Sequence, residues 1–147
     1  MDCSTWALPQ MDPLALYALF RLRTDIFVVE QGCAYPEVDP IDEKAWHVLG
    51  YREGQLVACA RLVPPGLSYP QPSIGRVAVR QDQRGRGLGH AIFAYALSDL
   101  QQRYPGAALK IQAQQYLERF YQEYGFRTVS APYPDVGIMH VDMVLHG

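Results

Sequence analysis

The sequence predicts a mixed α/β fold, a mostly antiparallel sheet with helices on both of its faces, and three stretches carry that expectation. Two apolar runs, 45–51 and 56–63, flank Arg52-Glu53-Gly54-Gln55, the composition of a hairpin turn. A short, partly β-branched run from Ile74 to Val79 leads through a glycine-rich turn into a long helical pattern. Beyond residue 108, strand-like runs surround a further helical one. Hairpin pairing therefore comes first and helix-linked strands come later, the layout of a sheet covered on two sides.

In chain order, residues 1–7 have the character of a first strand. Asp12 is placed to cap a helix whose first residue is Pro13, where a missing N–H costs nothing. Leu14, Leu16, Tyr17, Leu19, Phe20 and Leu22 form its apolar face, and the pattern runs through Ile26, Phe27, Val28 and Val29 to Glu30 before the β-branched pair and Gly32 weaken it. Residues 31–43 are a loop rich in Pro, Asp and Gly, long enough to border a site. The return strand of the hairpin places Val57, Cys59, Arg61 and Val63 on one face and Ala58, Ala60 and Leu62 on the other. Pro64-Pro65-Gly66 stops it. The helix after the glycine turn carries Leu88, Ile92, Ala96 and Leu100 at a spacing of four and ends at Pro105-Gly106. A strand over 108–113, a helix over 115–124 capped by Gly125, and strands over 126–130 and 140–145 complete the chain.

Size and composition set bounds. With 147 residues the chain is expected to form one domain, 1–147, with a real core. A formal charge of −2 argues against a general nucleic-acid partner. No apolar run reaches membrane-spanning length, and Asp2 with no apolar segment behind it is unlike a signal peptide. Cys3, Cys33 and Cys59 are odd in number and widely spaced, which reads as free thiols in a reducing compartment, with neither a disulfide frame nor a metal site. A cytoplasmic location follows as the expectation.

The chemistry gathers at Arg84-Gly85-Arg86-Gly87-Leu88-Gly89. A strand, a glycine-rich loop and a helix start make an anion site, because the first helical N–H groups lack partners and glycine lets a phosphate approach the main chain. A plain strand-to-helix turn is the bland alternative. The loop is not a P-loop, since no Lys-Ser or Lys-Thr follows the glycines, and His90 stands where a dinucleotide fingerprint needs its third glycine.

The loop does match Arg/Gln-x-x-Gly-x-Gly, and after Val77-Ala78-Val79 it resembles the pyrophosphate-binding motif of the GNAT N-acetyltransferases, which bind acetyl-CoA. Downstream, Phe120-Tyr121-Gln122-Glu123-Tyr124-Gly125-Phe126 resembles the Phe-Tyr-x-x-x-Gly-Phe signature of the same family. Phe27-Val28-Val29-Glu30-Gln31, Trp46-His47-Val48-Leu49-Gly50, Ile74-Gly75-Arg76-Val77 and Ala113-Gln114 look like its ElaA branch, so the resemblance spans essentially the whole chain. Two features depart from the pattern. Ala113, followed by Gln114, stands where the family often places Asn, and the tail Pro134-Asp135-Val136-Gly137-Ile138-Met139-His140 keeps a His on an altered approach.

The resemblance implies the GNAT fold and transfer of an acetyl group from acetyl-CoA to an amine acceptor, a small molecule or a protein amine. It implies cofactor contacts from Val77, Ala78, Val79, the loop Arg84, Gly85, Arg86, Gly87, Leu88 and Gly89, and from Gln114, Phe120 and Tyr121. The pantetheine would pair with the main chain of Val77 and Val79 as an added strand does. The N–H of Val79 is the candidate oxyanion donor. The Tyr121 phenol, protonated at neutral pH, is the candidate acid for the departing thiolate, unless the ring only packs. Glu30, His47 and His140 are candidate bases, each with a structural alternative as a helix end or a hydrogen-bonded core histidine; His47 and Arg76 are also candidates for the substrate side. Arg61 and Arg76 interrupt apolar strands, so each needs an internal carboxylate or, for one of them, an anionic substrate group. A covalent route through Cys33 or Cys59 is disfavoured because no His lies near either in sequence. No metal is expected. A CoA-binding sensor without activity and a nucleotide-binding module are the competing functions, and a homodimer is compatible with the family.

Overall fold

The computed structural model describes residues 1–147. It holds two antiparallel sheets where the sequence suggests a single mixed one. Strands β1 (Asp2–Ala7), β2 (Trp46–Arg52), β3 (Gln55–Val63) and β4 (Ser73–Val79) form the first in the order β1-β2-β3-β4. In the second, β5 (Leu109–Gln114) and β6 (Arg127–Thr128) flank β8 (Ile138–Leu145), which also pairs with β7 (Tyr133–Asp135). One main-chain hydrogen bond joins the sheets, from the Lys110 N–H to the Pro72 carbonyl at 3.1 Å. Beyond that point β4 and β5 run side by side without pairing, and a cleft opens between them.

Helices cover both faces. Helix α1 (Pro13–Thr24) starts where Asp12 Oδ1 accepts the N–H groups of Leu14 and Ala15, both at 2.9 Å. Its Leu19 and Leu22, with Ile26 of the turn that follows it, pack on Leu49, Leu56, Cys59 and Ala78. The opposite face takes α2 (Leu88–Arg103), whose Ile92, Phe93, Ala96 and Leu100 pack with Val48, Ala60, Leu62 and Ile74. Each such large apolar side chain removed from water contributes about 1.5–3 kcal/mol, offset by the entropy of ordering it. Helix α3 (Glu118–Gln122) is shorter than the sequence suggests, because residues 115–117 wind as a tighter 3₁₀ turn first. Gly125, at φ +93°, reverses the chain after it.

Two bulges break the alternation read from the sequence. Gly50 pairs with Ala58 and Tyr51 with Leu56, so Val57 is an extra residue and shares the α2 face with Ala58, against the expected parity. On β4, Ala78 pairs with Cys59 and Gly75 with Arg61, so Arg76 and Val77 together oppose Ala60. Arg76 adopts φ +50°, a conformation that costs a non-glycine residue about 1–3 kcal/mol and persists only when its surroundings hold it.

Candidate active site

The cleft has a volume of about 540 Å³. Its walls are β4 from Ser73 to Val79 and Gln112 and Gln114 of β5; Gln31, Cys33 and Tyr35 cover it from the α1 side, and the 84–89 loop, Leu117, Phe120 and Tyr121 close its other end.

The loop has the geometry of an anion cradle. Gly85 and Gly87 sit at φ +80° and +77°, and a side chain built on either would meet nothing within 4 Å. Gly87 is the N-cap of α2 and no side chain caps it, so the first N–H groups of the helix stay unpaired. Arg86 is exposed. Arg84 is not free, although its charge suggests otherwise. Its Nη1 and Nη2 donate to the two oxygens of Glu30 at 2.7 and 2.9 Å, and its Nε donates to the Val79 carbonyl at 3.0 Å.

Strand pairing fixes how Val79 faces. The Arg80 N–H donates to the Val57 carbonyl at 2.7 Å, so the preceding pair, Val79 with Ala58, is a non-hydrogen-bonded one. The N–H and C=O of Val79 therefore point away from β3, toward the cleft. Arg84 occupies the carbonyl, and the N–H remains. The Val77 and Val79 side chains pack against the α2 core, while Ala78 belongs to the α1 core.

Tyr121 lies at the same end. Its ring packs edge-on against Phe93 and Phe120, both with centroids at 5.1 Å, yet the residue still lines the cleft. Burial, with a small addition from Tyr116, pushes its phenol up to about 12. Phe120 lines the cleft too, and Tyr124 turns outward to bond His90 Nδ1 at 2.9 Å.

On β8, His140 pairs in register with Gln114 and lines the cleft. Its Nδ1 lies 2.7 Å from the Ile138 carbonyl. A carbonyl only accepts, so Nδ1 carries a proton and Nε2 is the nitrogen that can act as an acceptor. The Gln114 amide exchanges two hydrogen bonds with Gln31 across the cleft, at 3.3 and 3.4 Å. Gln31 stood in the sequence only as the last residue of the ElaA-like stretch Phe27–Gln31, with no site role given to it, and Tyr35 was not singled out; the length of their loop was the signal that it borders a site.

The other candidates belong to an ion network under the 31–45 loop. Arg23 bonds Glu37 and Asp42; Arg61 bonds Asp39 and Asp42; Arg76 bonds Glu37 and Asp39. Three cations meet three carboxylates, so the network is neutral. Burial alone would push the Asp42 carboxyl up, but the hydrogen bonds and charge of Arg23, the Asp39 N–H and the charge of Arg61 hold it at about 2. Arg76 thus reaches the cleft with its Nε and Nη2 already engaged. His47 does not reach it: the residue is fully buried on the α1 face of the sheet, with Nε2 3.0 Å from the Asp42 carbonyl. Burial lowers its pKa. The expectation that His47 meets substrate is corrected on this ground, since its strand parity aims it at the network. Glu30 lines the cleft, but both its oxygens are held by Arg84, which disfavours it as a base. Cys59 is fully buried, which raises its thiol to about 12, and Cys33 Sγ is directed at the Gln31 and Val136 carbonyls.

No helix is long and apolar enough to cross a membrane. An acetyltransferase (GNAT) domain model matches residues 29–146. The UPF0039 protein sll0451 of Synechocystis is 44% identical over 131 residues, covering 88% of this chain and 85% of that protein. The crystal structure of an acyl-CoA N-acyltransferase from Pseudomonas aeruginosa superposes with a TM-score of 0.92 at 36% identity, covering 98% of both chains. That of Escherichia coli ElaA gives 0.92 at 31% identity, covering 99% of both.

Proposed function

This chain belongs to the GNAT acetyltransferase family and is an acyltransferase, and from that premise we propose that it moves an acetyl group from acetyl-CoA to a primary amine by direct attack of the amine on the thioester. The observation that carries the reading is that one cleft is shared by the open 84–89 cradle, the inward-facing Val79 N–H and the Tyr121 phenol.

The residues present fit the donor. The N–H groups at the start of α2 and the open faces of Gly85 and Gly87 receive its diphosphate, and Arg86 adds charge. The Val79 N–H, fixed by the strand, donates to the carbonyl oxygen as that oxygen gains charge. His140 takes a proton from the attacking amine at Nε2, and Tyr121 gives one to the departing sulfur. The N–C bond forms as the C–S bond breaks, and the products are the amide and CoA thiol. No cysteine is needed as an acyl carrier. A phenol near 12 stays protonated throughout the neutral range, as a proton donor must.

The test is a panel of small amines, peptides and protein N-termini incubated with acetyl-CoA, read by free thiol release and by mass of the acceptor. Acetylated amine with stoichiometric thiol supports the reading. Tight CoA binding with no acceptor acetylated overturns it in favour of a sensor, and displacement of CoA by ATP would favour a nucleotide-binding module.

A further inference from the structure

We infer that Glu30 is a positioning residue for the diphosphate loop, acting through Arg84, and that the Arg84 guanidinium serves as a brace between elements and not as a phosphate-binding charge; the inference rests on the assignment of the 84–89 loop made above. The two residues are 54 positions apart, and the fork of one closes on both oxygens of the other, at 2.7 and 2.9 Å. The remaining edge of the fork, Nε, is on the Val79 carbonyl at 3.0 Å. One side chain therefore ties together the end of the first helix, the last residue of β4 and the first residue of the loop.

The helix end is shaped to make this contact. After Thr24 the α1 helix widens into a π-helical turn, Asp25–Glu30, in which the Gln31 N–H reaches the Ile26 carbonyl at 3.1 Å and the Cys33 N–H the Val28 carbonyl at 3.1 Å. A π turn holds more residues than an α turn, so it re-aims every side chain after it, and such turns concentrate at functional sites. Here it brings Glu30 to the cleft beside the loop, while Val29 turns to solvent.

Charge balance argues against a direct phosphate contact from Arg84. The Glu30–Arg84 pair is neutral, and a diphosphate that drew the guanidinium to itself would have to strip it of a bidentate carboxylate and a carbonyl. The loop has cheaper donors in its unpaired N–H groups and in Arg86, which no carboxylate holds in this way. With the pair in place, two glycines at positive φ are kept at one end by a fixed residue and at the other by α2, which limits the conformations the cradle loses when it closes on an anion.

The experiment compares Glu30→Gln, Arg84→Gln, Arg84→Lys, Arg86→Gln and the pairwise combinations with wild type, by calorimetric CoA affinity and by kcat and KM with an amine from the panel above. Each variant at 30 or 84 is expected to weaken CoA binding about three- to tenfold, with kcat within about twofold and an unchanged pH profile of kcat. Glu30→Gln/Arg84→Gln should be no weaker than the worse single, because the two act as one unit, whereas Arg86→Gln should add in full to Glu30→Gln. Arg84→Lys should fail as badly as Arg84→Gln, since lysine keeps the charge and loses the fork. Three results overturn the inference: an Arg84→Lys variant that restores affinity, additive effects at 30 and 84, or a Glu30→Gln variant that loses kcat together with the acid limb of its pH profile, the mark of a base. A wild-type protein that binds no CoA sinks the assignment of the loop itself, whereas wild-type binding with unaltered variants sinks this inference alone.

Discussion

Tyr121→Phe removes one oxygen atom and separates chemistry from packing. The ring it keeps is the one that packs edge-on against Phe93 and Phe120 at 5.1 Å and against Phe126 at 6.4 Å. The hydroxyl makes no hydrogen bond within the chain, so its removal strands no partner, and the change in stability at neutral pH should stay within about 0.5 kcal/mol. A general acid contributes on the order of 100-fold or more, so kcat should fall at least that far, about 2.7 kcal/mol of transition-state stabilisation, while CoA affinity holds within about twofold. The sign of the pH effect on stability is also determined. The folded-state pKa is raised to about 12 by burial, above the unfolded value of about 10. The neutral phenol's contribution is thus complete below about pH 10 and is lost as pH rises toward about 12; Tyr121→Phe should lack that alkaline loss. Thiol release measures kcat, calorimetry the affinity, and thermal melts from pH 7 to 11 the stability. A variant that keeps half of wild-type turnover, or one that loses turnover only together with CoA binding and melting temperature, refutes the role given to the hydroxyl.

Further consequences follow from the same geometry. His140→Gln should lower kcat/KM about 100-fold at neutral pH, and the deficit should shrink as pH rises toward the amine's own pKa, because solvent then supplies the unprotonated nucleophile and hydroxide helps remove the proton shed after attack; a deficit constant with pH counts against His140 in pre-steady-state measurements of acetyl transfer. Asp42→Asn should cost about 3–5 kcal/mol by denaturant titration, since it leaves Arg23 and Arg61 short of a buried partner. For the native chain, Asp42 is held at about 2, below its unfolded value, so its contribution is present above about pH 4 and is lost as pH falls toward 2; the buried His47, whose pKa is lowered, adds a loss that starts below about pH 6.5. His47→Gln should flatten the curve in the upper part of that window only. Gly87→Ala should melt about 1 kcal/mol less stable, because φ +77° strains alanine, and should bind CoA at least about tenfold more weakly by calorimetry.

What could be read from the sequence was what is encoded in contiguous residues. The Arg84–Gly89 loop and the Phe120–Phe126 stretch each span a few positions on one element, so their types and spacing already describe their geometry. The Asp12 cap and the α2 stripe are local in the same sense. What could not be read depends on residues that meet from far apart. Glu30 and Arg84 are separated by 54 positions and Gln31 and Gln114 by 83, and no spacing rule links either pair. The Arg76 bulge is hidden for another reason: nothing marks an arginine as the residue that will take φ +50°, which depends on Glu37 and Asp39 holding it. His47 failed by layer. Whether its side of the strand meets substrate or an ion network depended on how the 31–45 loop folds over it.

The joint at Pro72 and Lys110 has a mechanical meaning. Past that single stitch, the facing rims of β4 and β5 are two strand borders with main-chain groups left open to solvent, the kind of border that recruits foreign strands. A linear, amide-bearing molecule lodged between them occupies the vacant lane of a would-be continuous sheet. The core beneath α2 already packs both sheets together, so an occupant of that lane would add main-chain pairing where the chain itself supplies none.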